Sequence, residues 1–448
     1  MTSDLAHGHD YDLIAIGGGS GGIATANRAA LNGARCLLIE RDERLGGTCV
    51  NRGCVPKKLM WHSAHERREA QGLAQSGLID EPSTLAYGLL HERIGTKVRT
   101  IRDSFETAMR ERGIEIVRGR AELRADGSVR VGERDLHAPK LVLASGSEPT
   151  ALDIPGWEHC GTSDDVFGWT ECPGRLLIVG GGYIGVELAT VFSGLGSDVV
   201  IADESDHLLG GFDPDAVALA ESHLSMQGVE HVPEVQLQSV RLSASGREAT
   251  LSNGTVAEYD RIVVAIGRTP RIEGLGPIGG DLATVANGAL KISDTFETSR
   301  SGIYAVGDVA DRLPLTPVAR RDGEWLAHYL FGEDPGPRLD LDLVATATYC
   351  DPPIAQIGVT DADDHDLDVE SDRLDPLRNG LFRHERDGMT YMHKLVTDGG
   401  RLRGVVLVSR TSPDEISYAA TLVAIGADRS ALRRPGSVHP TFAEEFIG

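Results

Sequence analysis

An apolar run that breaks into clustered glycines occurs twice in this chain, and few folds can accommodate it. Tyr11 to Ile16 ends in Gly17-Gly18-Gly19-Ser20-Gly21-Gly22, a helix-forming stretch follows from Ile23 to Leu31, and Arg35 to Glu40 reads as a second strand with an acid at its tip. Strand, glycine turn, helix and strand in that order form the unit that cradles a dinucleotide. The pattern returns with the strand Arg175 to Val179, the turn Gly180-Gly181-Gly182-Tyr183-Ile184-Gly185, the helix Val186 to Leu195 and the strand Asp198 to Ala202, which runs into Asp203 and Glu204. Each unit has a later strand end of similar texture, Leu141 to Gly146 and Ile262 to Gly267. This internal repeat at domain scale predicts two dinucleotide-binding domains.

The chemistry of such a turn follows from its spacing. Gly17 permits the tight turn, Gly19 lets backbone approach a pyrophosphate, and Gly22 lets helix and strand pack closely. The helix start adds amide donors and a favourable dipole for the anion. Glu40 can accept hydrogen bonds from a ribose diol. Gly180, Gly182 and Gly185 repeat these duties. At the tip of the second unit stand Asp203, Glu204, Ser205 and Asp206, with no Arg or Lys before Asp213. Carboxylates repel a 2′-phosphate and bond a free 2′-hydroxyl, so the expected nucleotide is NADH, with NADPH as the alternative.

A third feature is more specific than either glycine turn. It reads Gly46-Gly47-Thr48-Cys49-Val50-Asn51-Arg52-Gly53-Cys54-Val55-Pro56-Lys57-Lys58. Two cysteines five apart at a helix start can meet, and the dipole with a nearby cation favours thiolate, the form that exchanges disulfides. A zinc site would want further Cys or His ligands at short spacing, and none is present here.

The remaining sequence sets limits. A chain of 448 residues is too long for one core, so three or so domains are expected. A formal net charge of −23 argues against a nucleic-acid partner, which needs a basic surface. No apolar run reaches the roughly 18–20 residues that span a bilayer, and Met1 to Asp12 is polar without a signal-like apolar core. Six cysteines in so long a chain do not make a secreted disulfide framework. A cytoplasmic, membrane-free protein is expected. Glu333-Asp334-Pro335-Gly336-Pro337 reads as a linker. The strands Met392 to Val396 and Gly404 to Val408, then a helix from about Asp414 to Ile425, predict a third, α+β domain beyond it.

The cysteine segment resembles the active-site signature of the pyridine nucleotide–disulfide oxidoreductases, and is most similar to their glutathione reductase branch. The resemblance covers essentially the whole chain. Gly302-Ile303-Tyr304-Ala305-Val306-Gly307-Asp308 is similar to the family's second flavin motif. Leu315-Thr316-Pro317-Val318-Ala319 and the terminal His439-Pro440-Thr441-Phe442-Ala443-Glu444-Glu445-Phe446 are similar to that branch. The implied fold is α/β: two doubly wound Rossmann-like domains, the second inserted in the first, before an α+β dimerisation domain. The implied boundaries are residues 1–150 and 268–335 for FAD binding, 151–267 for NAD(P) binding and 336–448 for the interface.

The resemblance also implies roles. Cys49 would be the interchange thiol that attacks a small-molecule disulfide, and Cys54 the charge-transfer thiolate against the flavin. His439, oriented by Glu444, would serve as acid–base from the other subunit of a homodimer. Lys57 would lie near the flavin N5 and pair with Glu187. Asp308 would bind the ribityl chain, Thr316 would touch the isoalloxazine edge, and Tyr183 would cover the flavin until a nicotinamide displaces it. Ser20, Gly21, Thr48 and Ala121 would join the FAD contacts, and Ile184, Glu204 and Gly267 the nicotinamide nucleotide contacts.

Some positions depart from the branch. Glu204 and Gly210 stand where NADPH-linked relatives tend to have arginines. Glu324 replaces an Arg expected to meet a substrate carboxylate, and Lys97 and Phe105 replace tyrosines expected beside the substrate. These changes leave glutathione disulfide and a glutathione-like derivative with that carboxylate masked or absent as alternatives. Arg52 stands where Val is usual, either favouring thiolate or facing solvent. Dihydrolipoamide dehydrogenase shares the cofactors and the Cys pair, but the Val-Pro-Lys-Lys run and the His-Pro-Thr ending speak against it. Mercuric reduction lacks an extra C-terminal cysteine pair. A flavin-holding interaction protein without catalysis would respond differently to NADH, which would leave its flavin unbleached.

Overall fold

The computed structural model describes residues 10–80, 85–244, 246–360, 367–374, 389–434, 436, 438–439 and 441. The chain divides into two compact units. One comprises residues up to 56, 93–150 and 268–339, and the other 57–92, 151–267 and 340 onward.

The first unit is built on a five-stranded parallel sheet. Its strand order is Ile303–Ala305, Lys140–Leu143, Leu13–Ile16, Cys36–Glu40 and Glu115–Arg118. Every residue of Leu13–Ile16 and of Cys36–Glu40 is buried, as expected of central parallel strands covered on both faces. Side chains alternate between two cores. Ile14, Ile16, Leu37, Ile39, Leu141 and Leu143 face a core shared with the small antiparallel sheet Ala121–Leu123, Val129–Val131 and Arg134–Leu136. Leu13, Ala15, Leu38 and Val142 face a second core with Met109, Phe296 and Leu326.

Helix α1, Ser20–Leu31, begins inside the glycine cluster rather than at Ile23. It packs on the helix Thr316–Phe331, where a Cβ on Gly323 would lie 2.7 Å from the Gly21 carbonyl oxygen. After the second strand come α2, Gly47–Arg52, and α3, Cys54–Gln75, followed by α4, Tyr87–Glu111.

The second unit repeats the theme. Its parallel sheet runs Glu230–Val232, Asp198–Ala202, Arg175–Val179, Arg261–Val264 and Gly161–Thr162. An antiparallel trio, Leu237–Leu242, Arg247–Leu251 and Val256–Tyr259, completes its core. Helix α5, Tyr183–Leu195, starts three residues before the expected Val186. The strands Arg175–Val179 and Asp198–Ala202 form over the predicted residues. The C-terminal part of this unit is a five-stranded antiparallel sheet: Thr346–Thr348, Ile354–Gly358, Arg401–Val408, Tyr391–Asp398 and Asp368–Leu374. The helix Ser412–Ala424 lays Ile416 and Ala419 on its Ala355, Ile357, Val405 and Leu407 face. The architecture is α/β, two doubly wound dinucleotide folds and an α+β C-terminal domain. Among the described residues no helix is long and apolar enough to cross a membrane.

Candidate active site

The two glycine turns superimpose in their constraints. Gly17 and Gly180 have φ of +113° and +111°, and a Cβ on either would strike the carbonyl oxygen of Ala144 or Ala265. A Cβ on Gly22 would come 2.0 Å from the Gly17 oxygen, and one on Gly185 1.9 Å from the Gly180 oxygen. The fold itself therefore demands these four. Gly19 and Gly182 differ: a Cβ would meet nothing closer than 3.7 Å at Gly19 and nothing within 4 Å at Gly182. Each caps the N-terminus of its helix without a side-chain cap. Nothing inside the protein crowds these two positions, so the absent side chain leaves room for an outside group at a helix start rich in amide donors. These residues fit the pyrophosphate of a dinucleotide in each module.

The strand-tip acids complete the parallel. Glu40 accepts from the Gly18 N–H at 2.7 Å and from the Asp42 N–H at 2.9 Å. Asp203 accepts from the Gly181 N–H and from the Ser205 N–H, the latter at 2.7 Å. Both acids stand 22 residues after the amide they hold. Asp203, rather than Glu204, thus occupies the position that Glu40 holds in the first module. Glu204 is exposed and meets Gln236 Nε2 at 3.3 Å. Counting that common spacing in the sequence would have singled out Asp203.

The cysteine segment grows from the first module. Gly46 donates its N–H to the Gly18 oxygen at 2.8 Å, and a Cβ on Gly47 would lie 2.7 Å from the Gly19 Cα. The paired glycines let α2 start hard against the glycine turn. Cys49 and Thr48 lie in α2, half-buried, and Cys54 opens α3 and is exposed. Cys54 Sγ is 3.7 Å from Thr316 Oγ1, so the structure brings these two predicted residues together. Asn51 anchors α2 by donating to the Leu45 carbonyl at 3.2 Å, and Arg102 donates to the Asn51 side chain. Arg52 forms an ion pair with Asp42, which compensates its charge.

Burial disfavours the thiolate form of the other four cysteines. Burial pushes Cys36 and Cys350 up to about 12 and Cys160 up to about 11, and it also raises Cys172. Among the described residues no group of three or more His, Cys, Asp or Glu is arranged to hold a metal.

In the same unit, Asp308 sits in the turn Gly307–Val309 and accepts from Ser147 Oγ at 2.8 Å. Arg268 Nε donates to the same Ser147 oxygen at 2.9 Å. Ser147 and Arg268 belong to the paired strands Ser147–Pro149 and Arg268–Pro270, and the sequence alone did not flag them. Ala121 is buried at the start of its strand, Ser20 and Gly21 form the first turn of α1, and Gly267 has φ of +120°. Glu324 pairs with Arg320 at 3.1 Å, one helical turn away. Lys97 is exposed, and Phe105 packs against the apolar core that α1 shares with Leu326.

In the second unit Lys57 Nζ and Glu187 Oε1 are 2.7 Å apart, with only 13% and 8% of their side chains exposed. A buried ammonium needs such a partner. The same Glu187 oxygen accepts the Tyr349 N–H at 2.9 Å, and the Lys57 ammonium lies 4.0 Å from the centre of the Tyr349 ring. Tyr349 was not predicted; it reaches Lys57 only through long-range packing. Tyr183, the first residue of α5, is 44% exposed, with Ile184 beside it in the first helical turn. His439 is exposed, and Glu444 lies outside the described residues.

Comparison with known proteins agrees with this geometry. The family model for pyridine nucleotide-disulphide oxidoreductases matches residues 11–323, and the model for the dimerisation domain of that family matches residues 344–447. The chain is 32% identical to a glutathione reductase of Nostoc, over 98% of this chain and 99% of that protein. It is 32% identical to one of Burkholderia cepacia and 31% identical to one of Schizosaccharomyces pombe, each over 98% of both chains. A paired-cysteine segment on a double dinucleotide fold, matched along almost its whole length, has one consistent reading: this chain belongs to the pyridine nucleotide-disulphide oxidoreductases, flavoprotein disulfide reductases that use FAD and a pyridine nucleotide.

Proposed function

We propose that the protein is an NADH-dependent reductase of a low-molecular-weight thiol disulfide, either glutathione disulfide or a glutathione-like derivative. The observation that carries this reading is the cysteine segment itself. Only Cys49 and Cys54 stand in the first turn of a helix beside the first glycine turn, while burial raises the remaining thiols. Bound FAD supplies the two-electron relay between nicotinamide and the cysteine pair.

The residues of the chain do the rest. Gly19 and Gly182 would admit the pyrophosphates, and Glu40 and Asp203 would meet the ribose diols. Lys57, held by Glu187, would present its charge to the isoalloxazine ring, and Asp308 would hold the ribityl chain, with Thr316 beside Cys54. The Cys49 thiolate attacks the external S–S bond and forms a mixed disulfide. One substrate thiolate leaves and takes a proton from a His439 supplied by the other subunit and oriented there by Glu444. Cys54 then attacks the Cys49 sulfur and releases the second thiol. Each turnover consumes NADH, one proton and one disulfide, and yields NAD+ and two thiols.

Asp203 supports the NADH preference. Its carboxylate is fixed by two backbone amides at the strand tip, where it would meet the adenosine ribose and repel a 2′-phosphate. The acidic exposed loop that follows, Glu204 and Asp206, adds to that repulsion. Glu324 is itself an anion, paired with Arg320, so this position lacks the cation that would meet a substrate carboxylate. We place the enzyme in the cytoplasm as a homodimer with a shared active site.

Purified protein with its flavin, assayed with NADH and NADPH against glutathione disulfide, its amide and other small disulfides, tests this reading. The expected outcome is preferential oxidation of NADH with at least one of the glutathione-like disulfides. Strong preference for NADPH would overturn the assignment of Asp203, and turnover only with lipoamide would overturn the substrate class.

A further inference from the structure

One face of α3 is bound residue by residue to a short segment of the C-terminal sheet domain. Lys57, Trp61, His65 and Arg68 follow one another at about one-turn intervals along that face. Against them lie Tyr349, Cys350 and Asp351 in order. The Tyr349 ring centre is 4.0 Å from the Lys57 ammonium and 5.3 Å from that of Lys58. Trp61 donates its indole N–H to the Cys350 carbonyl at 3.0 Å and meets the Tyr349 ring edge-on at 5.5 Å. Asp351 takes His65 and Arg68, each at 3.2 Å. The Tyr349 N–H also fixes the Glu187 oxygen that pairs with Lys57.

We propose that Tyr349 is a positioning residue for flavin reduction, whose ring face and backbone N–H together hold the Lys57 ammonium and the Glu187 carboxylate in one arrangement. The inference rests on the reading above that Lys57 attends the flavin ring. The physical need is plain. A mostly buried ammonium with a single carboxylate partner keeps other rotamers open to it, and an aromatic face on a further side removes them by attracting the cation where no water competes. The backbone donor acts on the other partner, since a carboxylate oxygen that already accepts one N–H cannot swing freely. Tyr349 thereby makes the charge beside the flavin depend on the C-terminal domain being docked on α3.

The test compares Tyr349→Leu with Tyr349→Phe in the full-length protein. The first readout needs no turnover: acetylation of Lys57 by an activated ester, followed by peptide mass spectrometry, with and without flavin. Lys394, buried against Asp213 and Asp215, is the internal standard, because general loosening would raise its labelling too. The second readout is the rate of flavin bleaching by NADH in a single turnover, and the third is reoxidation of the pre-reduced enzyme by disulfide.

With Leu, Lys57 is expected to label roughly tenfold faster and bleaching to slow roughly tenfold, while reoxidation and Lys394 labelling stay as in the parent. Phe, which keeps the ring face, rescues both effects. Parent-like Lys57 labelling and bleaching in Tyr349→Leu would overturn the proposal, as would equal damage from Phe and Leu, or slowing of both half-reactions together. If the parent flavin is bleached by neither NADH nor NADPH, the enzymatic reading fails instead, and the labelling comparison still decides whether Tyr349 holds Lys57.

Discussion

The two dinucleotide modules share a frame and differ in what they add to it. In each, a positive-φ glycine opens the turn, an uncrowded glycine caps the helix, and a strand-tip acid holds two backbone amides. Past the acid they diverge. The first module runs straight into Gly46-Gly47 and the cysteine-bearing α2, pressed against its own turn. The second runs through the exposed Glu204 to Asp206 loop into a helix capped by Asp213. The first helix position is Ser20 in one and the half-exposed Tyr183 in the other. On the function proposed above, the repeated frame would bind nucleotides in both modules, and the additions would separate a module that keeps its flavin from one that exchanges its nicotinamide nucleotide.

The sharpest way to break this comparison is to remove what only the first module carries. Cys49→Ser or Cys54→Ser should reduce disulfide turnover to background in a steady-state assay while bound flavin remains visible in the absorbance spectrum. Next is a matched pair. Gly22→Ala and Gly185→Ala each force a Cβ onto a carbonyl oxygen and should cost about 1–3 kcal/mol in denaturant unfolding. Gly22→Ala should lose flavin on gel filtration, whereas Gly185→Ala should keep flavin and raise the KM for NADH. An equal loss of flavin from both would erase the distinction between the modules.

A smaller effect separates the neighbouring acids. Asp203→Asn should weaken NADH about tenfold, read as the KM ratio of NADH to NADPH, and Glu204→Gln should change that ratio much less. The smallest effect is in the silent thiols. Iodoacetamide at neutral pH should label Cys49 and Cys54 in the reduced protein and spare Cys36, Cys160 and Cys350, whose thiolates form only towards pH 11–12. Because burial raises these thiols above the ordinary value of 9.0, the folded chain holds their protons longer than the unfolded chain. Their contribution to stability is therefore complete below about pH 9 and is lost as pH climbs towards 12. Thermal unfolding across that range checks the sign.

Much of this was legible in the sequence because it is local. The strands Arg175–Val179 and Asp198–Ala202 declare themselves as short apolar runs beside glycine turns, and two cysteines five apart need no tertiary context. The helix starts came out three residues late because glycine and serine are poor helix formers. Packing of α1 on the helix Thr316–Phe331 and of α5 on the strand Asp198–Ala202 overrides that propensity. Asp203 was hidden by a neighbouring acid of the same charge, and only the spacing from the turn separates it from Glu204. Tyr349, Ser147 and Arg268 were out of reach for a different reason. Tyr349 meets Lys57 and Glu187 across 292 and 162 residues of chain, and Ser147 meets Asp308 across 161, contacts that exist only once the sheets have formed.

Anaerobic reductive titration of the flavin-loaded protein examines the series arrangement of flavin and sulfur pair most directly. The parent is expected to take up two electron pairs per flavin, with a long-wavelength charge-transfer band after the first. Cys49→Ser, which retains Cys54, is expected to take up one pair. A parent that accepts only one pair, or a Cys49→Ser variant that still accepts two, would contradict that series arrangement.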